Sequence, residues 1–351
     1  MFLFLKTVVL FHFVWSGVFG RIVPYYDLDE DFYSDIRNIL EDHLSRQVPN
    51  TLTHPREVRG WGLTIPNSHV SGVAVDVDGN PVIFHRGNRF WNYETFNSTQ
   101  HIQTPDPIPE DVVMILDKES GEVIEKWGKN MFYLPHGITI DKKGNTWLTD
   151  AGSHQVFKFP PGSKTASLTL GEKLQPGEDN SHFCKPSAVA VASSGEFFVA
   201  DGYCNARVLH FSPDGTLKGQ YGHYGNEETI SSLNVPHGLT LNEELNTLCI
   251  ADRDNGRIVC IKAGLNDPKS FGKDVVIIPE PNHIRVFDIA FVGNGLVGIS
   301  GSEEEGIALG FTANIDHRVI VDQWEPIQNL YYMNINLYKC VDFSYSYKAL
   351  K

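Results

Sequence analysis

Through the middle of the chain, short apolar runs alternate with polar positions and are cut by turns at Asp, Asn and Gly. One unit reads Leu134-Pro135-His136-Gly137-Ile138-Thr139-Ile140-Asp141, a Gly144-Asn145 turn, then Trp147-Leu148-Thr149-Asp150. It recurs as Lys185-Pro186-Ser187-Ala188-Val189-Ala190-Val191 with Phe198-Val199-Ala200-Asp201. A third copy is Val235-Pro236-His237-Gly238-Leu239-Thr240-Leu241 with Leu248-Cys249-Ile250-Ala251-Asp252. The closing aspartates, Asp150, Asp201 and Asp252, are spaced by 51 residues. Weaker copies open at Ser71-Gly72-Val73-Ala74-Val75-Asp76 and at Val286-Phe287-Asp288-Ile289-Ala290-Phe291. Further β-rich runs follow at 155–159, 207–211 and 257–261.

Period-2 runs joined by tight turns, about four to a unit, predict an all-β chain folded as a β-propeller with one blade per repeat. Five starts are legible, and the period places a sixth near residue 337. A six-bladed ring whose last blade is incomplete or divergent is therefore expected. No 3.6-residue periodicity accompanies the repeat, which excludes a helical solenoid.

Composition agrees, since 31 glycines and 19 prolines in 351 residues suit many turns. The formal charge of −14 makes nucleic acid a poor partner, because phosphate backbones are repelled.

Residues 2–19 are almost wholly apolar and end in Val18-Phe19-Gly20 before Arg21, the pattern of a signal peptide over 1–20. The expected location is the secretory lumen or outside the cell, with no stable membrane anchor, and the chain is read as a monomer. Residues 21–58 lack the blade pattern and read as a lead-in or pro-segment, which leaves 59–325 for the propeller. Residues 326–351 read as a divergent tail, in which 329–351 are tyrosine-rich without glycine or proline.

Secretion gives the five cysteines meaning. Cys184, Cys204, Cys249 and Cys260 allow three pairings. Local bridges Cys184–Cys204 and Cys249–Cys260 are the first choice, with Cys340 left over. Cysteine-held zinc is the rival, weakened by the lack of any CxxC. Asn97-Ser98-Thr99 is a glycosylation sequon on the same route.

The innermost strand of each propeller blade faces the axis, so equal repeat positions form a ring. His136 and His237 share one such position in the second and fourth repeats, with Ser187 in the third and Asp288 assigned to it in the fifth. Two imidazoles facing one axis suit a metal ion, although zinc catalysis wants a third ligand and an open place. Polar histidines that merely hydrogen-bond are the alternative. The closing aspartates are expected to cap their turns. Just beyond the closing positions lie Arg86, Tyr203 and Arg253, where guanidiniums could grip a carboxylate and a phenol beside a cation could serve as base.

These strings resemble the peptidyl-α-hydroxyglycine α-amidating lyase family from about Gly60 to Trp324. The carriers include Val82-Ile83-Phe84-His85-Arg86-Gly87, Lys129-Asn130-Met131-Phe132-Tyr133-Leu134-Pro135-His136-Gly137, Asp201-Gly202-Tyr203-Cys204-Asn205 and Ala251-Asp252-Arg253-Asp254-Asn255-Gly256-Arg257. The resemblance implies a six-bladed, NHL-like propeller that splits a C-terminal α-hydroxyglycine of a peptide into a peptide amide and glyoxylate. It implies zinc held by three histidines, of which His136 and His237 match two. It also implies a structural calcium bound by main-chain carbonyls at positions matching Val73 and Ile138. Tyr203 matches the base, and Arg86 and Arg253 match arginines that engage the substrate carboxylate or stabilise developing charge. The Cys184–Cys204 bridge would pin the adjacent tyrosine.

The pattern's third zinc histidine and a calcium aspartate, in a Pro-His-Asp stretch of blade six, are not found. The period leads instead to Met333-Asn334-Ile335-Asn336, which puts the catalytic competence of this form in question. Two other classes are weighed against the lyase. One is a secreted non-enzymatic propeller binding peptide or carbohydrate, and the other is a calcium-dependent esterase or lactonase with a carboxylate-rich axis.

Overall fold

The computed structural model describes residues 61, 69–223, 230–293, 295–302 and 307–325. They form five four-stranded antiparallel meanders. Blade one is β1 (Val70–Val75), β2 (Pro81–His85), β3 (Val113–Leu116) and β4 (Val123–Trp127), and blade two is β5 (Pro135–Ile140), β6 (Thr146–Asp150), β7 (Gln155–Phe159) and β8 (Leu168–Leu170). Blade three is β9 (Pro186–Val191), β10 (Phe197–Asp201), β11 (Arg207–Phe211) and β12 (Leu217–Tyr221). Blade four is β13 (Pro236–Asn242), β14 (Thr247–Asp252), β15 (Arg257–Lys262) and β16 (Val276–Pro279). Blade five is β17 (Arg285–Val292), β18 (Gly295–Ser302), β19 (Ile307–Asn314) and β20 (Val319–Trp324). This is a β-propeller, with five blades among the described residues. The sixth start expected near 337, the segments 1–20, 21–58 and 326–351, and Cys340 lie outside the described residues.

The first strands β1, β5, β9, β13 and β17 contact one another in turn, so the start of every repeat is its axial edge. Apolar side chains fill the spaces between blades. On β10, Phe197 and Val199 pack with Trp147 and Val156 of blade two, while Phe198 and Ala200 pack with Leu248 and Ile250 of blade four. Strict apolar–polar alternation was the expectation. β10 is apolar throughout its first four residues because both of its faces are buried, as in a sheet covered on each side.

The closing aspartates tie the blades at the channel mouth. Asp150 is fully buried and accepts from the amides of Tyr133 (2.6 Å), Leu134 (2.7 Å), Gly152 (2.9 Å) and Ser153 (3.3 Å). Asp201 accepts from Cys184 N (2.7 Å) and pairs with Arg207 (2.9 Å), and Asp252 accepts from Asn234 N (2.7 Å) and pairs with Arg257 (2.6 Å). Each carboxylate therefore joins the entry of its innermost strand to the turn or strand that follows it, a wider role than capping one turn. Buried carboxylates need donors on this scale to offset desolvation.

One register needs correcting. Strand pairing sets Pro135, Pro186 and Pro236 opposite Asp150, Asp201 and Asp252, and Val286 opposite Ser300. Phe287, not Asp288, therefore shares the ring position of His136, Ser187 and His237. The fifth repeat carries Ser300 where the second, third and fourth close on aspartate, so it lacks the landmark that fixes their register; the first closes on His85.

Both local disulfides are present, Cys184–Cys204 and Cys249–Cys260. Cys249 and Cys260 face each other across the β14–β15 ladder, and Cys184–Cys204 joins the entry of β9 to the β10–β11 turn. All four thiols of the cysteine-held zinc alternative are consumed. No helix among the described residues is long and apolar enough to cross a membrane.

Candidate active site

The Pro-His-Gly triplet of β5 and β13 has a steric origin. A Cβ on Gly137 would sit 2.3 Å from the Ser187 carbonyl oxygen, and one on Gly238 would sit 2.3 Å from Asp288 Oδ1. Neither contact is tolerable, so glycine lets neighbouring inner strands close up directly after each histidine. His136 is buried, and the two imidazole centroids are 4.8 Å apart. His136 Nδ1 donates to the Ser187 carbonyl (2.8 Å) and His237 Nδ1 to the Phe287 carbonyl (2.7 Å). A carbonyl can only accept, so these partners assign the ring proton to Nδ1 and leave a lone pair on each Nε2.

Both lone pairs meet one oxygen. Tyr203, on the β10–β11 turn, sets its hydroxyl 2.9 Å from His136 Nε2 and 2.9 Å from His237 Nε2. One phenolic proton serves one of these acceptors at a time. Arg253 donates to the same hydroxyl from Nη1 at 3.4 Å, and its guanidinium lies 5.1 Å from the Tyr203 ring. Arg253 is steered by Asp254, which also pairs with Arg285. Arg86 follows β2 and donates from Nε to the Pro135 carbonyl (2.8 Å). Trp91 completes the group, 4.6 Å from the Tyr203 ring, 5.9 Å from His136 and 5.2 Å from the Arg86 guanidinium.

Electrostatics keep this cluster's imidazoles neutral and its arginines charged. Burial, with the nearby Arg86 charge next in weight, lowers His136 to about 3. Burial first, then the His136 and Arg253 charges, holds His237 well below the ordinary histidine range. Burial lowers Arg86 to about 10, still a cation at neutral pH. A mouth lined by neutral imidazoles and two guanidiniums, on a chain of net charge −14, is suited to a carboxylate.

The donor set fits a zinc ion. The two imidazoles present Nε2 lone pairs, and each holds its Nδ1–H on a carbonyl, the outer support that metal-bound histidines usually have. Among the described residues no set of three or more His, Cys, Asp or Glu gathers to complete a metal site. Deeper on the axis, Val73 and Ile138 line a cavity of about 40 Å³ together with Ser187, Leu239 and Asp288.

The structure brings Tyr203, Arg253, Arg86, His136 and His237 together at the channel mouth. Val73 and Ile138 line the axial cavity, which His136 and His237 also border. Trp91 went unnoticed in the sequence; its only signal was a tryptophan five residues after Arg86 in an unusually long blade connection. Also unnoticed was a latch on that connection. His154 Nδ1 accepts from Lys185 N (3.1 Å), so its Nε2–H donates to the Gln100 carbonyl (3.1 Å), while Lys185 Nζ donates to Gln100 Oε1 and lies over the Phe96 ring. Asn97 is exposed on the same connection, with its Oδ1 accepting from Thr99 and His101 amides (both 3.0 Å).

Burial, with the Lys185 charge, lowers His154 to about 4. A depressed folded-state value means that the unfolded chain takes up a proton near pH 6.5 which the folded chain refuses until about 4. The resulting stability is present above pH 6.5 and is lost as pH falls toward 4, by roughly 3 kcal/mol at most. Thermal melts from pH 7 to pH 4 should therefore show a shallower acid-side decline in His154→Gln than in the parent chain. Parallel curves would contradict this.

The NHL repeat family matches residues 132–159, 183–211 and 233–261, parts of blades two, three and four. Peptidyl-alpha-hydroxyglycine alpha-amidating lyase 2 of Drosophila melanogaster is 42% identical over 270 residues, covering 76% of this chain and 66% of that protein. The probable peptidyl-alpha-hydroxyglycine alpha-amidating lyase pgal-1 of Caenorhabditis elegans is 37% identical over 290 residues, covering 82% of each. Peptidyl-glycine alpha-amidating monooxygenase of Mus musculus is 40% identical over 286 residues, which is 78% of this chain and 29% of that protein. The chain spans less than two thirds of the fly and mouse relatives' lengths. Among solved structures, a chain of the nidogen/laminin complex aligns with a TM-score of 0.54 at 16% identity, over 75% of this chain and 82% of that one, a likeness of fold alone.

Proposed function

The chain belongs to the peptidyl-α-hydroxyglycine α-amidating lyase family, and we propose that it cleaves peptides ending in α-hydroxyglycine to a peptide amide and glyoxylate. One observation carries this reading: a single phenol oxygen, that of Tyr203, lies 2.9 Å from the Nε2 of both axial histidines and within reach of Arg253. The reaction needs a base at the substrate hydroxyl, a cationic grip on its carboxylate and a proton for the leaving amide nitrogen. The O–H bond breaks as the aldehyde C=O forms, the C–N bond breaks, and nitrogen gains a proton. Nothing is oxidised or reduced.

As the phenolate, Tyr203 takes the hydroxyl proton and passes it to the leaving nitrogen, and Arg253 faces the oxygen that carries the charge. Arg86, fixed by the Pro135 carbonyl, engages the substrate carboxylate. His136 and His237 are the residues that would hold zinc, a Lewis acid able to acidify and orient the substrate hydroxyl. The third histidine of the family pattern has no counterpart in residues 326–351, which contain no histidine. Val73 and Ile138 offer main-chain oxygens beside Asp288 for a structural calcium, a hard cation that prefers oxygen ligands.

The six-bladed ring is part of the same reading. Val70, Val73, Ile83, Met114 and Leu116, on a face of blade one other than the one packed against blade two, are as buried as the layers between blades. A sixth blade supplies that face with a neighbour. Secretory routing after removal of residues 1–20, a glycan on the exposed Asn97 and a monomeric state complete the proposal. A non-enzymatic binding propeller leaves the shared phenol contact unexplained, and a calcium-dependent esterase leaves the neutral imidazoles without a role.

The test is product analysis of the purified chain with a peptide ending in α-hydroxyglycine. Peptide amide and glyoxylate are expected in equal amounts, and release no faster than in buffer would overturn the reading.

A further inference from the structure

The connection between the second and third strands runs over 86–112 in blade one, against 151–154, 202–206 and 253–256 in the next three blades. A turn needs only a few residues, so the extra chain in blade one has another task. It folds back on itself at the Phe96–Ile102 bridge, where Gln103 N donates to Thr95 O (2.9 Å). It then docks over blade two. Ile102 is buried with Tyr133, Leu134 and Ala151, and Trp91 and Phe96 pack against them. Arg89 Nη1 donates to the Tyr133 carbonyl (2.6 Å), and the His154–Gln100–Lys185 latch fixes the far end to blades two and three. A connection from blade one is thus fastened across its neighbours and carries one indole to the channel mouth.

That indole touches residues of the proposed machinery from three blades. Tyr203 of blade three, His136 of blade two and Arg86 of blade one all lie against it. We propose that Trp91 is a positioning residue: it sets the Tyr203 phenol against the two histidines. The inference rests on the lyase reading and adds a residue to it. A phenol has two bonds about which to swing, and the Cys204 bridge restrains only the backbone beside it. The tilted ring contact at 4.6 Å restrains the ring itself.

The experiment compares Trp91→Phe, Trp91→Ala, Tyr203→Phe and the double variant Trp91→Ala/Tyr203→Phe in the full chain. Trp91→Ala should lower kcat about 100-fold with KM changed little, the cost of a misplaced catalytic group. Trp91→Phe keeps an aromatic wall and should recover most of the loss. The double variant should be no slower than Tyr203→Phe alone, because an indole that acts through the phenol has nothing left to position. Independent, multiplying losses would overturn the proposal, as would a rise in KM with kcat unchanged, which would make Trp91 a substrate wall. A readout free of turnover separates this inference from the lyase reading. The tryptophan emission removed by Trp91→Phe should be the part that changes in Tyr203→Leu. Emission from Trp91 that ignores residue 203 would overturn the placement even in an active enzyme.

Discussion

Tyr203→Phe should lower amide release by about 10²–10⁴-fold, the range that a positioned general base contributes. Phenylalanine keeps the ring contacts with Trp91 and Arg253 and removes only the oxygen shared by His136 and His237. Folding should be preserved, since Tyr203 is only half-buried and its turn is tied to the entry of β9 by the Cys184–Cys204 bridge and by the Cys184 N–Asp201 hydrogen bond. The check is turnover on an α-hydroxyglycine-terminated peptide beside a thermal melt. Activity within a few fold of the parent chain would remove Tyr203 from the chemistry and leave the phenol as a structural hydrogen-bond donor.

Replacing Cys184 and Cys204 together by serine is expected to act on two levels. Stability should fall by about 2–4 kcal/mol, the usual cost of losing a native bridge. Turnover should fall further than unfolding explains, by about 100-fold at a temperature where the variant remains folded, because the turn that carries Tyr203 loses its tie to β9. Replacing Cys249 and Cys260 provides the control. That bridge spans the β14–β15 ladder inside a buried apolar layer, away from Tyr203, so its loss should cost stability and leave turnover near normal. Equal catalytic losses in the two pairs would contradict the pinning role.

Much of this site was legible in the sequence because a repeat turns spacing into geometry. Asp150, Asp201 and Asp252 give the period, and the period alone puts His136 and His237 on one ring. The same logic failed at Asp288, where Ser300 replaces the closing aspartate and the register slipped by one residue. Residues outside the repeat had no such guide. Trp91, Gln100 and Phe96 belong to a connection that only blade one possesses, and their partners on blades two and three are set by how that segment folds back. The Ser187 and Phe287 carbonyls that fix the imidazole tautomers are main-chain atoms, invisible to any reading of side chains. Continuous apolar strands such as β10 look ambiguous in sequence and become clear once both faces are seen to be covered.

The convergence of His136 and His237 on one point is what the site stands on. Zinc titrated into the chelator-stripped chain, followed by calorimetry, tests it most directly. One equivalent should bind the parent chain, and the double variant His136→Ala/His237→Ala should bind none at that site while melting as a folded protein. Zinc uptake unaltered by the double substitution, or absent from the parent chain, would contradict the account.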